Sequence, residues 1–261
     1  MKKVYGLVLA VLVITACNSK TETTNQQQEI KEEGSKVTLT DSGSSTDFPD
    51  ATLNSFTYED GKFSYDYEAE NYTLGEQTDD ERSKICANSG KGQHIHFIVN
   101  DEPYKAFYTA DFDNEMEDGS YHILSFLSRS YHESIKNGKA HLAQKVTFEG
   151  GKVTKTEDIT SPMLFYSRPK GTYTGADTET LLLDFFIVNT ELSATGNKVK
   201  VTVNEEEIAT VSDWKPYLLT GLPMGTNTVT LELIDAEGNR VDAPFNPVTR
   251  EFELMKEAPV E

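Results

Sequence analysis

The stretch Gly92-Gln93-His94-Ile95-His96-Phe97-Ile98-Val99-Asn100 alternates apolar residues with a second set that carries a His-x-His pair. A period of two residues is that of a strand with one face turned to a core. The chain repeats the pattern as Val199-Lys200-Val201-Thr202-Val203-Asn204, with lysines where the histidines stand. In that second copy Val199, Val201 and Val203 must face inward, because Lys198, Lys200 and Thr202 need water. The same register turns Ile95, Phe97 and Val99 inward, and His94, His96 and Ile98 outward.

The neighbouring segments read the same way. Phe56-Thr57-Tyr58 and Lys62-Phe63-Ser64-Tyr65-Asp66-Tyr67 are parted by Asp60-Gly61, and Val146-Thr147-Phe148 is parted from Lys152-Val153-Thr154 by Gly150-Gly151. These are hairpin signals. Turn pairs recur along the chain and no long 3.6-residue period appears, so the expected class is all-β. Two further blocks match in the same order. Phe63 to Leu74 aligns with Leu181 to Leu192, sharing Asp66/Asp184, Asn71/Asn189 and Leu74/Leu192; Gly119 to Leu127 aligns with Gly225 to Leu233. An internal repeat of this kind predicts two tandem sandwiches, 52–165 and 166–256, with a tail at 257–261. The pattern, including Leu222-Pro223-x-Gly225 before Thr228-Val229-Thr230-Leu231-Glu232-Leu233, resembles immunoglobulin-like and fibronectin III-like modules. That resemblance implies architecture and carries no activity.

Residues 1–16 read as a signal peptide, with Lys2 and Lys3 ahead of an apolar run too short to span a bilayer. It ends in Ile14-Thr15-Ala16-Cys17, which resembles the lipobox of bacterial lipoproteins. The resemblance implies lipidation at Cys17 and a lipid-anchored place in a Gram-negative cell envelope. Asn18 and Ser19, with no Asp beside the cysteine, point to the outer membrane. From there to Ala51 the chain is polar and predicts a flexible tether (17–51) of about 35 residues with a reach of about 30–35 Å.

The formal charge of −19, from 24 basic and 43 acidic residues, opposes binding to nucleic acid. It permits cationic partners. With Cys17 lipidated, Cys86 has no disulfide partner and is expected to be a buried thiol.

Candidate function concentrates in the first sandwich. The repeat turns His122, Leu124 and Phe126 outward beside His94, His96 and Ile98, giving an apolar face with three histidines. Such a face is either covered or binds something. His94, His96 and His122 could form a three-nitrogen site for zinc or copper, resembling the zinc site of carbonic anhydrases, with Glu133 or Asp111 as outer acceptors. The loop Ser128-Arg129-Ser130-Tyr131-His132-Glu133 is similar to the phosphothreonine loop of forkhead-associated domains, which implies phosphopeptide or anion contacts through Ser128 and Arg129. The long segment 75–90, with Cys86, could cover the histidine face. No nucleophile elbow, phosphate loop or His-Glu-x-x-His motif is present. The expectation is a non-enzymatic envelope lipoprotein that binds a protein, peptide or small-ligand partner through this domain, with metal binding as the alternative.

Overall fold

A computed structural model describes residues 36–257. The signal peptide and Cys17 lie outside the described residues. Apart from two short 3₁₀ turns, Glu81–Lys84 and Gly175–Thr178, every regular element is a strand. Strand β1 (Thr38–Asp41) comes first. The first sandwich holds β2 (Thr52–Glu59), β3 (Lys62–Glu68), β4 (His94–Val99), β5 (Lys105–Phe107), β6 (Asp111–Asp113), β7 (Gly119–Ser128), β8 (His141–Glu149) and β9 (Lys152–Asp158). The second holds β10 (Met163–Arg168), β11 (Gly171–Thr174), β12 (Thr180–Val188), β13 (Lys198–Val203), β14 (Glu206–Val211), β15 (Tyr217–Thr220), β16 (Gly225–Ile234) and β17 (Val248–Met255). The expected boundary between 165 and 166 therefore falls inside β10. No helix among the described residues is long and apolar enough to cross a membrane.

One strand order occurs twice. In the second sandwich β10, β12 and β15 form one layer, and β14, β13, β16 and β17 form the other. In the first, β2, β3 and β6 face β5, β4, β7 and β8, in the same sequence of roles. There β9 pairs with both β8 and β2, so the two layers are one continuous eight-stranded sheet curled on itself. Its two edges meet where Phe107 stacks on Phe112 with ring centroids 3.6 Å apart. Strand β4 and its counterpart β13 end in the same way. Asn100 and Asn204 have φ of 54° and 48°, and their side-chain oxygens accept from the amides of His122 and Thr228 at 2.9 and 2.8 Å. Asn tolerates this left-handed conformation, which is why it closes both strands.

Ile95, Phe97, Ile123 and Leu127 enter the core of the first sandwich, beside Phe63, Tyr65, Val146 and Phe148. Val199, Val201, Val229 and Leu231 do so in the second. Each fully buried side chain of this size contributes about 1.5–3 kcal/mol. A third apolar cluster joins the sandwiches: Ile98, Leu124 and Phe126 of the first lie against Met163, Phe165, Phe186 and Val188 of the second. Phe126 and Phe186 stack at 5.3 Å. β4, β10 and β12 are accordingly buried on both faces, and β10 and β12 are apolar along most of their length.

The expectation of a flexible tether over 17–51 is corrected for residues 36–51, while 17–35 lie outside the described residues. β1 pairs antiparallel with β15 and extends its sheet. Phe48 and Ala51 are buried in the first sandwich, where the Asn137 side chain donates to both of their carbonyls at 2.8 and 2.7 Å. This strap needs few apolar residues, since its backbone is satisfied by a sheet edge and by side chains of other segments.

Candidate metal centre

β4 sets His94 and His96 on one face, and a turn sets a third ring against them. After β7 the chain closes a turn in which the His132 amide donates to the Arg129 carbonyl at 2.9 Å, with His132 at φ 73°. That left-handed residue folds its ring back over β4. His94 Nε2 lies 2.9 Å from His96 Nε2 and 3.0 Å from His132 Nδ1. One ligand nitrogen from each of the three lies within 4.8 Å of the others.

The outer contacts of the rings decide what those nitrogens can do. His94 Nδ1 is 2.8 Å from the Gly92 carbonyl, which can only accept, so Nδ1 carries the proton and Nε2 presents a lone pair to the cluster. His96 Nδ1 meets the Ser167 hydroxyl at 3.2 Å, and His132 Nδ1 meets the Tyr104 hydroxyl at 3.2 Å. An imidazole nitrogen has one in-plane lone pair, yet His94 Nε2 receives two close nitrogens. One hydrogen bond can be well formed there; a shared cation would satisfy all three.

Gly92 makes the His94 contact possible. Its φ is +88°, and a Cβ there would stand 2.4 Å from the Gly75 carbonyl oxygen. Only glycine allows the backbone of 75–76 to lie this close, where Gly75 donates to the Gln93 carbonyl and Gln93 to that of Glu76.

His94 and His96 have no exposed surface, and His132 is half-buried. The Tyr104 ring lies flat on His96, centroids 3.6 Å apart and planes 9° apart. On Tyr104 sit two cations, Lys170 Nζ at 3.9 Å and the Arg168 guanidinium at 5.4 Å from its centroid. Burial lowers the His94 imidazole to about 4, the charges of Arg168 and Lys170 adding to the effect against its bond to Gly92. Burial, with those same cations, carries His96 and His132 well below the ordinary range. Lys170 falls to about 8, through burial and then repulsion by Arg168. At neutral pH the cluster is three neutral imidazoles, the form that ligates metals.

His122 does not belong to this site. The β4–β7 pairing sets His94 opposite Ser128 and His96 opposite Phe126, which carries His122 along to Asn100. That is four residues from His96, roughly 13 Å at strand rise. His122 instead lies half-buried against Phe245, ring centroids 5.7 Å apart. Leu124 and Phe126 are not a ligand surface either, since the second sandwich covers them.

The loop from Ser128 to Glu133 is turned inward. Ser128, Arg129, Ser130, Tyr131 and Glu133 are all buried. Arg129 donates to the carbonyls of Thr46 and Ser134 and pairs with Glu133 at 3.2 Å, so the guanidinium expected to hold an anion is committed within the chain. Ser128 Oγ donates to the Arg129 carbonyl at 3.1 Å. Segment 75–90 grips this loop through Thr78 and Ser130, and its Ala87 lines one small cavity with His132. Glu133 sits beside Arg82 and Arg129, and Asp111 accepts from Ser64 on an exposed strand; neither backs the imidazoles. Cys86 is buried with Tyr131 and Leu182, its thiol pushed up to about 12 by burial, and is not one of the converging ligands.

Reasoning from sequence missed His132 as a ligand, and also Tyr104, Ser167, Arg168 and Lys170. Counting the antiparallel register from the paired strands would have removed His122. Ser167, Arg168 and Lys170 come from the other sandwich, and no local pattern marks them.

No protein-family model matches the chain, and no curated protein matches it. Among solved structures it is similar to the fibronectin(III)-like modules of Clostridium thermocellum CbhA, at 12% identity and a TM-score of 0.29, over 37% of this chain and 100% of that one. It is similar to domains 4 and 5 of the S-layer protein SbsC, at 10% identity and 0.20, over 85% of this chain and 98% of that one. A third likeness is to the Bacteroides ovatus mixed-linkage glucan protein SGBP-B, solved with a mixed-linkage heptasaccharide, at 8% identity and 0.19, over 85% and 71%. These likenesses are slight, and the chain's own strand pairing makes it an all-β protein of two sandwiches.

Proposed function

We propose that the chain is a lipid-anchored envelope protein, held at the outer membrane through Cys17, that binds zinc or copper at His94, His96 and His132. The observation carrying this reading is the convergence of three neutral ring nitrogens, one of them fixed as an acceptor by Gly92. A tetrahedral metal with bonds of about 2.0–2.1 Å sets its ligand nitrogens about 3.3 Å apart, so modest ring movements complete the set. The bound metal would accept the three converging lone pairs and so link β4 to the 128–134 loop. Binding rather than turnover fits the burial, because two of the rings are sealed from any substrate.

The test is titration of the demetallated soluble chain with Zn²⁺ and with copper, beside His132→Asn. Asn accepts the left-handed backbone at that position, so the variant keeps the turn. One-to-one binding weakened about a hundredfold in the variant supports the reading. Absence of binding by the wild-type chain overturns it.

A second reading, capture of a small polar ligand, is favoured by an open cleft of about 440 Å³ whose lining includes Ser45, Arg129, Glu133, Lys136, Trp214 and Lys215. Trp214 is the only tryptophan of the chain. Its emission during titration with inorganic phosphate or glucose reports directly on that cleft, and an unchanged spectrum at millimolar concentrations counts against this reading.

A further inference from the structure

The three histidines have no anionic companion: among the described residues the ligand group consists of His94, His96 and His132, with no carboxylate or thiolate. Two buried or half-buried cations stand over it instead. Lys170 Nζ is 3.9 Å from the Tyr104 centroid, and Tyr104 is 3.6 Å from that of His96, so the ammonium lies at most about 7.5 Å from the imidazole. Arg168 follows Ser167, the hydroxyl partner of His96, and its guanidinium hydrogen-bonds the Tyr173 hydroxyl at 2.8 Å. Arg168 and His132 line the same small cavity.

Resting on the metal-binding reading above, we propose that the ion this site selects is monovalent copper, Cu(I), and that Lys170 and Arg168 are its selectivity residues. Repulsion between a fixed cation and a metal ion scales with the charge of the ion, so whatever factor Lys170 imposes on a monocation it imposes squared on a dication. Zn²⁺ in a three-imidazole site also requires a fourth ligand. The flat Tyr104 ring covers one face of His96, and among the described residues no fourth His, Cys, Asp or Glu joins the three. Cu(I), a d¹⁰ ion content with few soft or imidazole ligands, needs neither the extra charge nor the extra ligand. The acidic surface of the chain attracts cations in general, while this local pair of cations discriminates among them by charge.

The experiment uses the full soluble chain under anaerobic, reducing conditions, with chromophoric competitors for Cu(I) and for Zn²⁺ and with Ag(I) as a redox-silent monocation. Wild-type protein is expected to hold one Cu(I) or one Ag(I), with Zn²⁺ weaker by about a hundredfold or more. Lys170→Met keeps the apolar stem of a half-buried side chain and removes its charge. It should tighten Cu(I) by roughly tenfold and Zn²⁺ by roughly a hundredfold, narrowing the ratio. Wild-type Zn²⁺ binding as tight as that of Cu(I), or an unchanged ratio in Lys170→Met, overturns this proposal and leaves metal binding standing. Failure to bind any of the three ions overturns both.

Discussion

His132 Nδ1 lies 3.0 Å from His94 Nε2, although one ring stands on a strand and the other on a turn 38 residues away. Both imidazoles are held neutral by burial, so acid must act on this contact. The unfolded chain protonates its histidines near pH 6.5, whereas folded His94 does so at about 4. Between those values the unfolded state binds more protons, so stability is fully present above pH 6.5 and is lost as pH falls through the window. Each such histidine contributes about 1.4 kcal/mol per pH unit, on the order of 3 kcal/mol for His94 alone. Urea unfolding of the metal-free chain at pH 7, 5.5 and 4.5 should show a falling midpoint. A midpoint indifferent to pH would contradict the neutral cluster.

Gly92→Ala should damage fold and site together. The added Cβ would collide with the Gly75 carbonyl at 2.4 Å in a conformation that alanine rarely adopts. A loss of about 3 kcal/mol is expected, from strain and from separation of the 75–76 backbone. Thermal melting measures the first effect. Metal titration of whatever fraction folds measures the second, since the Gly92 carbonyl fixes the tautomer of His94.

How much of this the sequence reveals depends on the range of the interaction. The alternation from His94 to Val99, and its echo from Lys198 to Val203, give class, facing and repeat, because strand periodicity is local. The sequence also shows that Ile98, Leu124 and Phe126 share an outer apolar face, though not that β10 and β12 cover it. His122 misleads because a face is a coarser property than a register: two side chains can share it and lie a dozen ångströms apart. His132 is hidden by its backbone, since a single left-handed residue after β7 reverses the ring and no composition signal announces it. The strap from Thr38 to Ala51 looks disordered because its partners, β15 and Asn137, are far along the chain.

Glu133 is expected to matter through charge compensation. Its carboxylate lies 3.2 Å from Arg129 and 3.6 Å from Arg82, all three buried, and the Ser45 hydroxyl donates to it at 2.5 Å. Burial raises its proton affinity while Arg129 opposes the rise. Glu133→Ala leaves two buried guanidinium groups without their anion, a change that costs about 3–5 kcal/mol. Glu133→Gln keeps the shape and should cost less. Equal urea midpoints for Glu133→Ala and wild type would show that the arginines find water instead.

The strap makes the last prediction. Phe48 is 4% exposed, meets Tyr72 edge-on at 5.3 Å and lies under the Arg129 guanidinium at 5.6 Å. A residue of a free tether could be truncated without consequence, whereas Phe48→Ala here opens a cavity in the core of the first sandwich and should cost about 3–5 kcal/mol. The same substitution loosens Thr46, whose carbonyl accepts from Arg129 Nε at 2.9 Å, and with it the hold on Ser45 and Ser44 over Glu133 and Arg82. Hydrogen exchange should therefore accelerate at the Thr46 amide, which Asp80 holds at 3.1 Å, and at the pairing of β1 with β15. Exchange confined to Phe48 itself would mean that β1 is anchored by its own four residues, and that the strap is two independent contacts, not one continuous brace across the sandwiches.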